Sequence, residues 1–336
     1  MTKLKHSSII SRRTSTTDNN RHGFWTNLPK PFFALAPMAD VTDYVFREIV
    51  AGCAKPDVMF TEFVSADGLM HPDARGRLLV DLKYSEKQRP IVAQLFGSKS
   101  ENIKGAAKLC EELGFDGVDI NMGCPDRTIN KQKAGADLIL DHELAREIID
   151  AAKDGTKLPI SVKTRMGYNS LDDFEPWMKV LLESGLDAIT VHLRTKKEMS
   201  KVPAHWELAG ELRRLGGSTS KYLAPLLIAN GDVKDLSDAK QKARENELDS
   251  VMLGRAIYGN PWLFSGHKAS LEERINTMIY HTKRYEEEYA GIKSFAIIRK
   301  FFGAYIAGHP KAKEFRVALM ETKNYADVHR VALKYS

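Results

Sequence analysis

A TIM-type (β/α)8 barrel followed by an all-helical C-terminal domain is the α/β fold this sequence predicts, on three observations. Eight short apolar runs recur between residues 31 and 266, separated by stretches with helical periodicity. Each run ends in small or polar residues, which is how barrel strands meet their ligand-facing rim. No Gly-x-Gly-x-x-Gly follows the first run, so the usual fingerprint of a doubly wound dinucleotide-binding sheet is missing.

In chain order, residues 1–30 come first. They are rich in Ser, Thr, Asn and Arg, carry Asp18 as their one acid, and lack apolar periodicity. They read as a flexible basic arm, with a composition that also resembles a transit peptide. The barrel is expected over residues 31–266. Its apolar runs are 33–37, 58–63, 91–96, 118–122, 160–164, 188–192, 226–230 and 250–254. Helical spacing fills the gaps at 43–50, 102–113 and 174–182. In the second of these, Ile103, Ala106, Ala107 and Leu109 mark one face. After Pro261-Trp262-Leu263-Phe264 the strand signals stop. Residues 267–336 read as a small helical domain with breaks near Gly291, Gly308-His309-Pro310 and Lys323-Asn324.

The chain of 336 residues carries a net charge of +6, unevenly spread. Residues 1–30 hold six Lys and Arg against one acid, and residues 267–336 hold thirteen against eight. The centre is therefore mildly acidic. Basic ends suit a polyanion held by the extensions, or simply solvated helix faces. No apolar run approaches the roughly 18 residues of a membrane-spanning helix. Cys53, Cys110 and Cys124 are widely spaced with no Cys-x-x-Cys pair, so neither a disulfide framework nor a metal site is expected, and a reducing, cytoplasmic setting fits.

The strand ends hold the chemistry. They are Pro37-Met38 on the first, Thr61-Glu62 on the second, Gln94 on the third and Asn121 to Cys124 on the fourth. Lys163-Thr164-Arg165, His192, Asn230-Gly231-Asp232 and Gly254-Arg255 complete the circuit. Amide, thiol, amine and imidazole on successive units describe a lined pocket. The last two units place glycines where backbone N–H groups can approach an anion, after the two strands that usually bind phosphate in such barrels, and Arg255 could add a bidentate contact. Gly117 to Met122 reads as a buried strand broken abruptly by Gly123 and Pro125, which puts Cys124 on a turn. A thiol there could donate a proton, attack an electrophile, bind a metal or simply pack.

Taken in order, these blocks resemble the tRNA-dihydrouridine synthase family from about residue 33 to the C-terminus. Ala36-Pro37-Met38, Gln94-Leu95-Phe96-Gly97, Val162-Lys163-Thr164-Arg165 and Gly254-Arg255-Ala256 carry the likeness, and Asp119-Ile120-Asn121-Met122-Gly123-Cys124-Pro125 is the most specific block. The resemblance implies a flavin mononucleotide (FMN) enzyme that reduces a uridine of tRNA to 5,6-dihydrouridine, with NADPH or NADH as reductant, and no membrane or stable protein partner. By the same resemblance Cys124 would be the general acid. Pro37, Met38, Gln94, Lys163 and His192 would contact the flavin ring, and Asn230, Gly231, Asp232, Gly254 and Arg255 its phosphate end. Asn121 and Arg165 would orient the uracil, with Arg299 and Lys300 on the tRNA side. Where the family commonly has His-Gly-Arg-Thr-Arg, this chain has His192-Leu193-Arg194-Thr195-Lys196. Two other expectations compete: a flavin barrel acting on a free pyrimidine, as a dihydroorotate-type dehydrogenase does, and a non-catalytic RNA-binding barrel. A monomer is expected.

Overall fold

A computed structural model describes residues 22–217 and 224–335. Eight parallel strands form one curled sheet: β1 (Phe32–Leu35), β2 (Met59–Ser65), β3 (Ile91–Phe96), β4 (Gly117–Met122), β5 (Ile160–Gly167), β6 (Ala188–Thr195), β7 (Leu226–Asn230) and β8 (Ser250–Leu253). Each strand pairs with its sequence neighbour and β1 pairs with β8. A parallel bridge between Ala34 and Val58, with Leu35 N–H donating to Val58 C=O at 3.1 Å, closes the cylinder between β1 and β2. All eight strands fall on the apolar runs, and the helices Tyr44–Ala54, Ser100–Glu112 and Phe174–Leu182 on the stretches with helical spacing.

The strands divide their side chains between two apolar regions, as a period of two requires. Outward residues such as Val118, Ile120, Met122, Val162 and Val191 pack against the helical ring. Inward residues at the amino-terminal end, including Phe32, Phe60, Val92, Leu226 and Ile228, form a separate core around the axis. A four-fold repeat fastens that end. Asp57, Asp116, Asp187 and Asp249 each stand just before an even-numbered strand. Each accepts the backbone N–H of a residue at the start of the preceding odd-numbered strand: Phe33 at 2.7 Å, Ile91 at 2.9 Å, Ile160 at 2.7 Å and Leu227 at 3.0 Å. These N–H groups would otherwise be buried or half-buried without a partner, a loss of about 1–3 kcal/mol each.

The expected flexible arm needs correction over its last residues. Gly23–Asn27 is a short 3-10 helix, and Trp25, 1% exposed, closes the floor of the cylinder against Phe32 and Phe60. His22 bonds Asp187 at 2.9 Å and Lys30 bonds Asp249 at 2.7 Å, so the segment is clamped to the same carboxylates that order the strands. Burial of the Trp25 indole, with the partly buried Phe24 ring packed beside it at 4.4 Å, outweighs the polar composition around them. The rest of the arm, residues 1–21, lies outside the described residues.

The C-terminal region is helical, with helices Leu271–Tyr289, Arg299–Tyr305, Ala312–Met320 and Tyr325–Tyr335. It packs on the barrel's first helix: Phe46 stacks on His281 and meets Phe301, and Tyr289 Oη accepts Tyr44 N–H at 3.1 Å. Lys293 bridges Glu62, at 3.1 Å, and Asp81, at 2.6 Å. Most of the aromatics in this region (Tyr285, Tyr289, Phe301, Phe302, Tyr305 and Phe315) are core, while Tyr280 is exposed. Among the described residues no helix is long and apolar enough to cross a membrane.

Truncating the floor plug should be costly. Trp25→Ala is expected to destabilise the protein by about 3–5 kcal/mol in denaturant unfolding, the range for a buried Trp. A loss below about 1 kcal/mol would mean that the segment is not part of the core.

Candidate functional site

The same inward alternation that makes an apolar core near the floor makes a polar chamber near the rim. Register pairs Gln94 with Asp119, Asp119 with Ser161, Asn121 with Lys163, Lys163 with Thr190, Arg165 with His192, and His192 with Asn230. All face the axis, because their neighbours Val118, Ile120, Val162, Ile189 and Val191 are outward core. A cavity of about 220 Å³ opens here, lined by Ala36, Pro37, Met38, Lys163, His192, Ser200, Asn230, Gly231, Asp232, Val233, Gly254 and Arg255. Nine expected residues are thus brought together. Ser200 and Val233 were not singled out in the sequence.

Beneath the rim runs a continuous hydrogen-bonded ladder. Ser161 Oγ and Gln94 Nε2 donate to the two oxygens of buried Asp119, at 2.6 and 2.7 Å. Asn121 Nδ2 donates to Gln94 Oε1 at 3.0 Å, and Asn121 Oδ1 accepts the N–H of Gly123 at 3.1 Å and of Cys124 at 2.9 Å. Gln94 is therefore enclosed rather than cavity-lining, and Asn121 shapes the cysteine turn. Burial raises the Asp119 carboxyl to about 6, against the pull of Ser161, Gln94 and Lys163. Asp119 is the rung the sequence reading passed over. A carboxylate in the middle of an apolar strand was the available signal.

The cations are arranged in two ways. Lys163 is half-buried and its ammonium makes no hydrogen bond among the described residues. Burial and the neighbouring Arg165 lower its pKa to about 8, while Asp119 and Cys124 oppose them. Arg165 is committed to backbone: Nε donates to Gly123 C=O at 2.7 Å and Nη1 to the carbonyls of Thr195 and Met199 at 3.2 Å. It splints the loop after β4 to the loop after β6.

At the opposite wall, Asp232 takes Arg255 at 2.7 Å on one oxygen, and Arg194 and the Ala204 N–H, at 3.0 Å, on the other. Burial pushes the Asp232 carboxyl up, but these donors outweigh it and hold the group below its usual range. His192 is driven well below the ordinary imidazole value by burial, then by Arg165, Lys163, Arg194 and Arg255, and is neutral. Gly231 has φ of +138°, and a Cβ there would lie 2.7 Å from Ala204 Cβ, so a side chain is excluded at this wall.

Cys124 sits beside the cavity on the turn after β4, half-buried. Ala136 N–H and Asn130 Nδ2 both donate to its carbonyl at 3.0 Å. Burial raises its thiol pKa above the usual value, although the Asp126 N–H, Arg165 and Lys163 pull the other way, so it is a protonated thiol at neutral pH. The two departures in the β6 loop also find a place. Leu193 is fully buried and faces the helical ring, away from the cavity. Lys196 donates to Tyr168 Oη at 2.9 Å and stands 4.2 Å over its ring, a point-charge contact in place of a planar fork. On the helical side, Arg299 donates twice to Thr322 C=O, at 3.1 and 2.6 Å, and Lys300 is exposed, 3.9 Å from Asp40.

The chamber can hold an anionic, ring-bearing molecule. It offers an unpartnered amine, a guanidinium at its rim and a glycine wall that admits close approach, and a protonated thiol that does not itself line the cavity stands on the turn after β4. A model of the family described as dihydrouridine synthase matches residues 34–334. A probable tRNA-dihydrouridine synthase of Staphylococcus aureus strain MRSA252 is 40% identical over 314 residues, covering 91% of this chain and 94% of its own. A probable tRNA-dihydrouridine synthase 2 of Bacillus subtilis strain 168 is 39% identical over 308 residues, again covering 91% and 94%. Among solved structures, morphinone reductase superposes with a TM-score of 0.50 at 15% identity over 72% of this chain and 86% of its own. 2-Naphthoyl-CoA reductase does so with 0.52 at 12% identity over 69% and 49%. These two likenesses concern the barrel fold alone.

Removing the unpartnered amine should relieve the ligand-free protein. Lys163→Met is expected to raise its thermal midpoint at pH 7. The Lys163 pKa is lowered on folding, so its cost is present below about 8 and disappears as pH rises toward the unfolded value of 10.5. The two midpoints should converge across that window. A variant less stable than wild type at pH 7 would show that the amine is satisfied in the folded protein.

Proposed function

The chain belongs to the dihydrouridine synthase family, and from that premise we propose that it reduces the C5=C6 bond of a uridine in tRNA, using flavin mononucleotide held in the rim cavity and NADPH as the source of electrons. The observation that carries this reading is the pairing of an unpartnered Lys163 amine inside the cavity with the protonated Cys124 thiol on the adjacent turn. The residues present fit the cofactor. Arg255, Asn230 and the backbone of Gly231, Asp232 and Gly254 would hold its phosphate end, with the Asp232 carboxylate fixing Arg255, and Pro37, Met38, Lys163 and His192 would hold its ring. A bound, reduced flavin supplies hydride chemistry.

The chain's own groups supply the rest. Saturating C5=C6 needs a proton at C5. Cys124 keeps one at Sγ because burial outweighs the cations around it. Lys163, lining the cavity, would offer positive charge to an anionic cofactor ring. With its pKa at about 8 it can also give up a proton near neutrality. Arg165 keeps the cysteine turn and the β6 loop at fixed separation. The target base is stacked in the folded RNA, so it must be turned outward to reach the barrel mouth. Lys and Arg contacts to phosphates, Lys300 among them, would hold the RNA body while the base enters. Arg299, with its guanidinium occupied by Thr322, would contribute by shaping the helical surface.

Cys124→Ala is expected to lower dihydrouridine formation by about 10²–10⁴-fold, the usual worth of a positioned general acid, while tRNA binding persists. Unchanged turnover, followed as dihydrouridine in digested tRNA, would remove the thiol from the reaction. Separately, tRNA affinity should fall more than about tenfold between 50 and 200 mM salt, because phosphate contacts release counterions. A flat salt response would argue for a free pyrimidine substrate and against an RNA grip.

A further inference from the structure

The wall of the cavity opposite Cys124 contains a guanidinium that the function above does not use. Arg194 is buried, with its side chain 2% exposed, directly behind the cavity-lining His192. Its three donor groups go to three different partners. Nε donates to Val202 C=O at 2.7 Å, Nη2 to Asp232, and Nη1 to His192 Nε2 at 3.1 Å. A guanidinium has hydrogens to give and no lone pair to receive. His192 Nε2 must therefore be the acceptor, and a neutral imidazole that accepts at Nε2 carries its hydrogen on Nδ1. Nδ1 has no acceptor among the described residues. The Cδ2–Nε2 edge of the ring faces Gly231, where a Cβ would lie 3.3 Å from Cδ2 and 3.6 Å from Nε2. Gly231 is itself held by Trp206, whose Nε1 donates to its carbonyl at 2.7 Å.

We propose that Arg194 is a positioning residue that fixes His192 as its Nδ1–H tautomer, so that the cavity presents a hydrogen-bond donor to an acceptor atom on the ring of the bound flavin. Through Asp232, shared with Arg255, the same guanidinium ties that donor to the phosphate end of the cavity. The ring-binding and phosphate-binding ends of the site are then one network, Nδ1–H, His192, Arg194, Asp232 and Arg255. The ligand meets a donor edge whose direction was set before it arrived, so little reorganisation opposes binding. The cofactor half of this assignment rests on the function proposed above. The tautomer half does not.

The test uses full-length protein with ¹⁵N-labelled histidine, stripped of ligand, and two-bond ¹H–¹⁵N spectra at pH 7, with the His192 signal identified by its absence in His192→Gln. Wild type should show His192 as a neutral Nδ1–H ring. Arg194→Met should lose that preference and Arg194→Lys, which keeps a donor, should retain it. FMN titrated by fluorescence quenching should bind Arg194→Met about tenfold more weakly than wild type, the scale of one lost hydrogen bond of about 1.4 kcal/mol, with Arg194→Lys restoring part of the loss. A wild-type His192 ring protonated on Nε2, or on both nitrogens, overturns the proposal whatever the Arg194 variants do. So does an Arg194→Met protein whose ring keeps the Nδ1–H form. If the tautomers behave as stated and FMN binds none of the three proteins, the flavin reading of the cavity falls, and with it the assigned acceptor.

Discussion

Which face of each strand looks inward is the constraint on which the site depends. Lys163, His192 and Asn230 reach the cavity because Val162, Val191 and Ala229, their neighbours, are needed in the layer beneath the helices. A slip of one residue in any strand would bury the amine, the imidazole or the amide among those helices and turn an apolar side chain toward the ligand. The carboxylates of Asp57, Asp116, Asp187 and Asp249 work directly against such a slip. Each accepts an N–H at the amino-terminal end of the neighbouring strand, and a charge-assisted bond of this kind is worth about 1.5–3 kcal/mol. Chemistry at one end of the cylinder is thus held in register by hydrogen bonds at the other.

The rim spends that register on an excess of positive charge. Lys163, Arg165, Arg194 and Arg255 crowd a chamber in which Asp119 and Asp232 are the facing acids. Burial first, with neighbouring cations adding to it, keeps His192 neutral and lowers Lys163 to about 8 and Arg165 to about 10. The guanidinium groups of Arg165 and Arg194 are tolerated because they are also fasteners, committed to carbonyls and to Asp232. Lys163 has no such partner. A chamber of this kind is destabilised when empty and relieved by an anion, which is the trade a binding site makes with stability.

Much of this was legible from the residues, and the part that was not has a common cause. Eight apolar runs located eight strands, because a parallel barrel strand buried on both faces announces itself by composition alone. The polar ends of those runs located nine residues of one cavity, because strand ends point to one rim whatever the helices do. What escaped were pairings between residues far apart in the chain. Gln94 was expected at the cofactor, yet its amide is consumed by Asp119 and Asn121 of the adjacent strand. Arg165 was expected at the substrate, yet its donors reach Gly123 and Met199. Arg194 stood in plain sight two residues after His192, but only the neighbouring strand β7, with Asp232 in the turn after it, gives it a role. Trp25 was hidden for a different reason. A polar segment was judged by its average, and two adjacent aromatic rings decide its fate.

The attachment of the helical region bears on how a large substrate could be served by so small a chamber. Lys293, from the loop after the helix Leu271–Tyr289, is nearly enclosed between Glu62 and Asp81. Glu62 also accepts the backbone N–H of Asp40 at 2.5 Å, in the turn after β1. Phe46, His281 and Phe301 continue the contact as packed rings. The helical region is therefore joined to the barrel at the ends of β1 and β2, on the rim itself, through a buried ion pair and a shared core. A hinge would need that ion pair to open and leave charge unpaired in a dry interface, a cost of several kcal/mol. An RNA gripped by the helices would then be presented to the cavity at a set distance and angle. Proximity of this kind, supplied by a rigid joint, would let one thiol and one amine act on a single base of a long polymer.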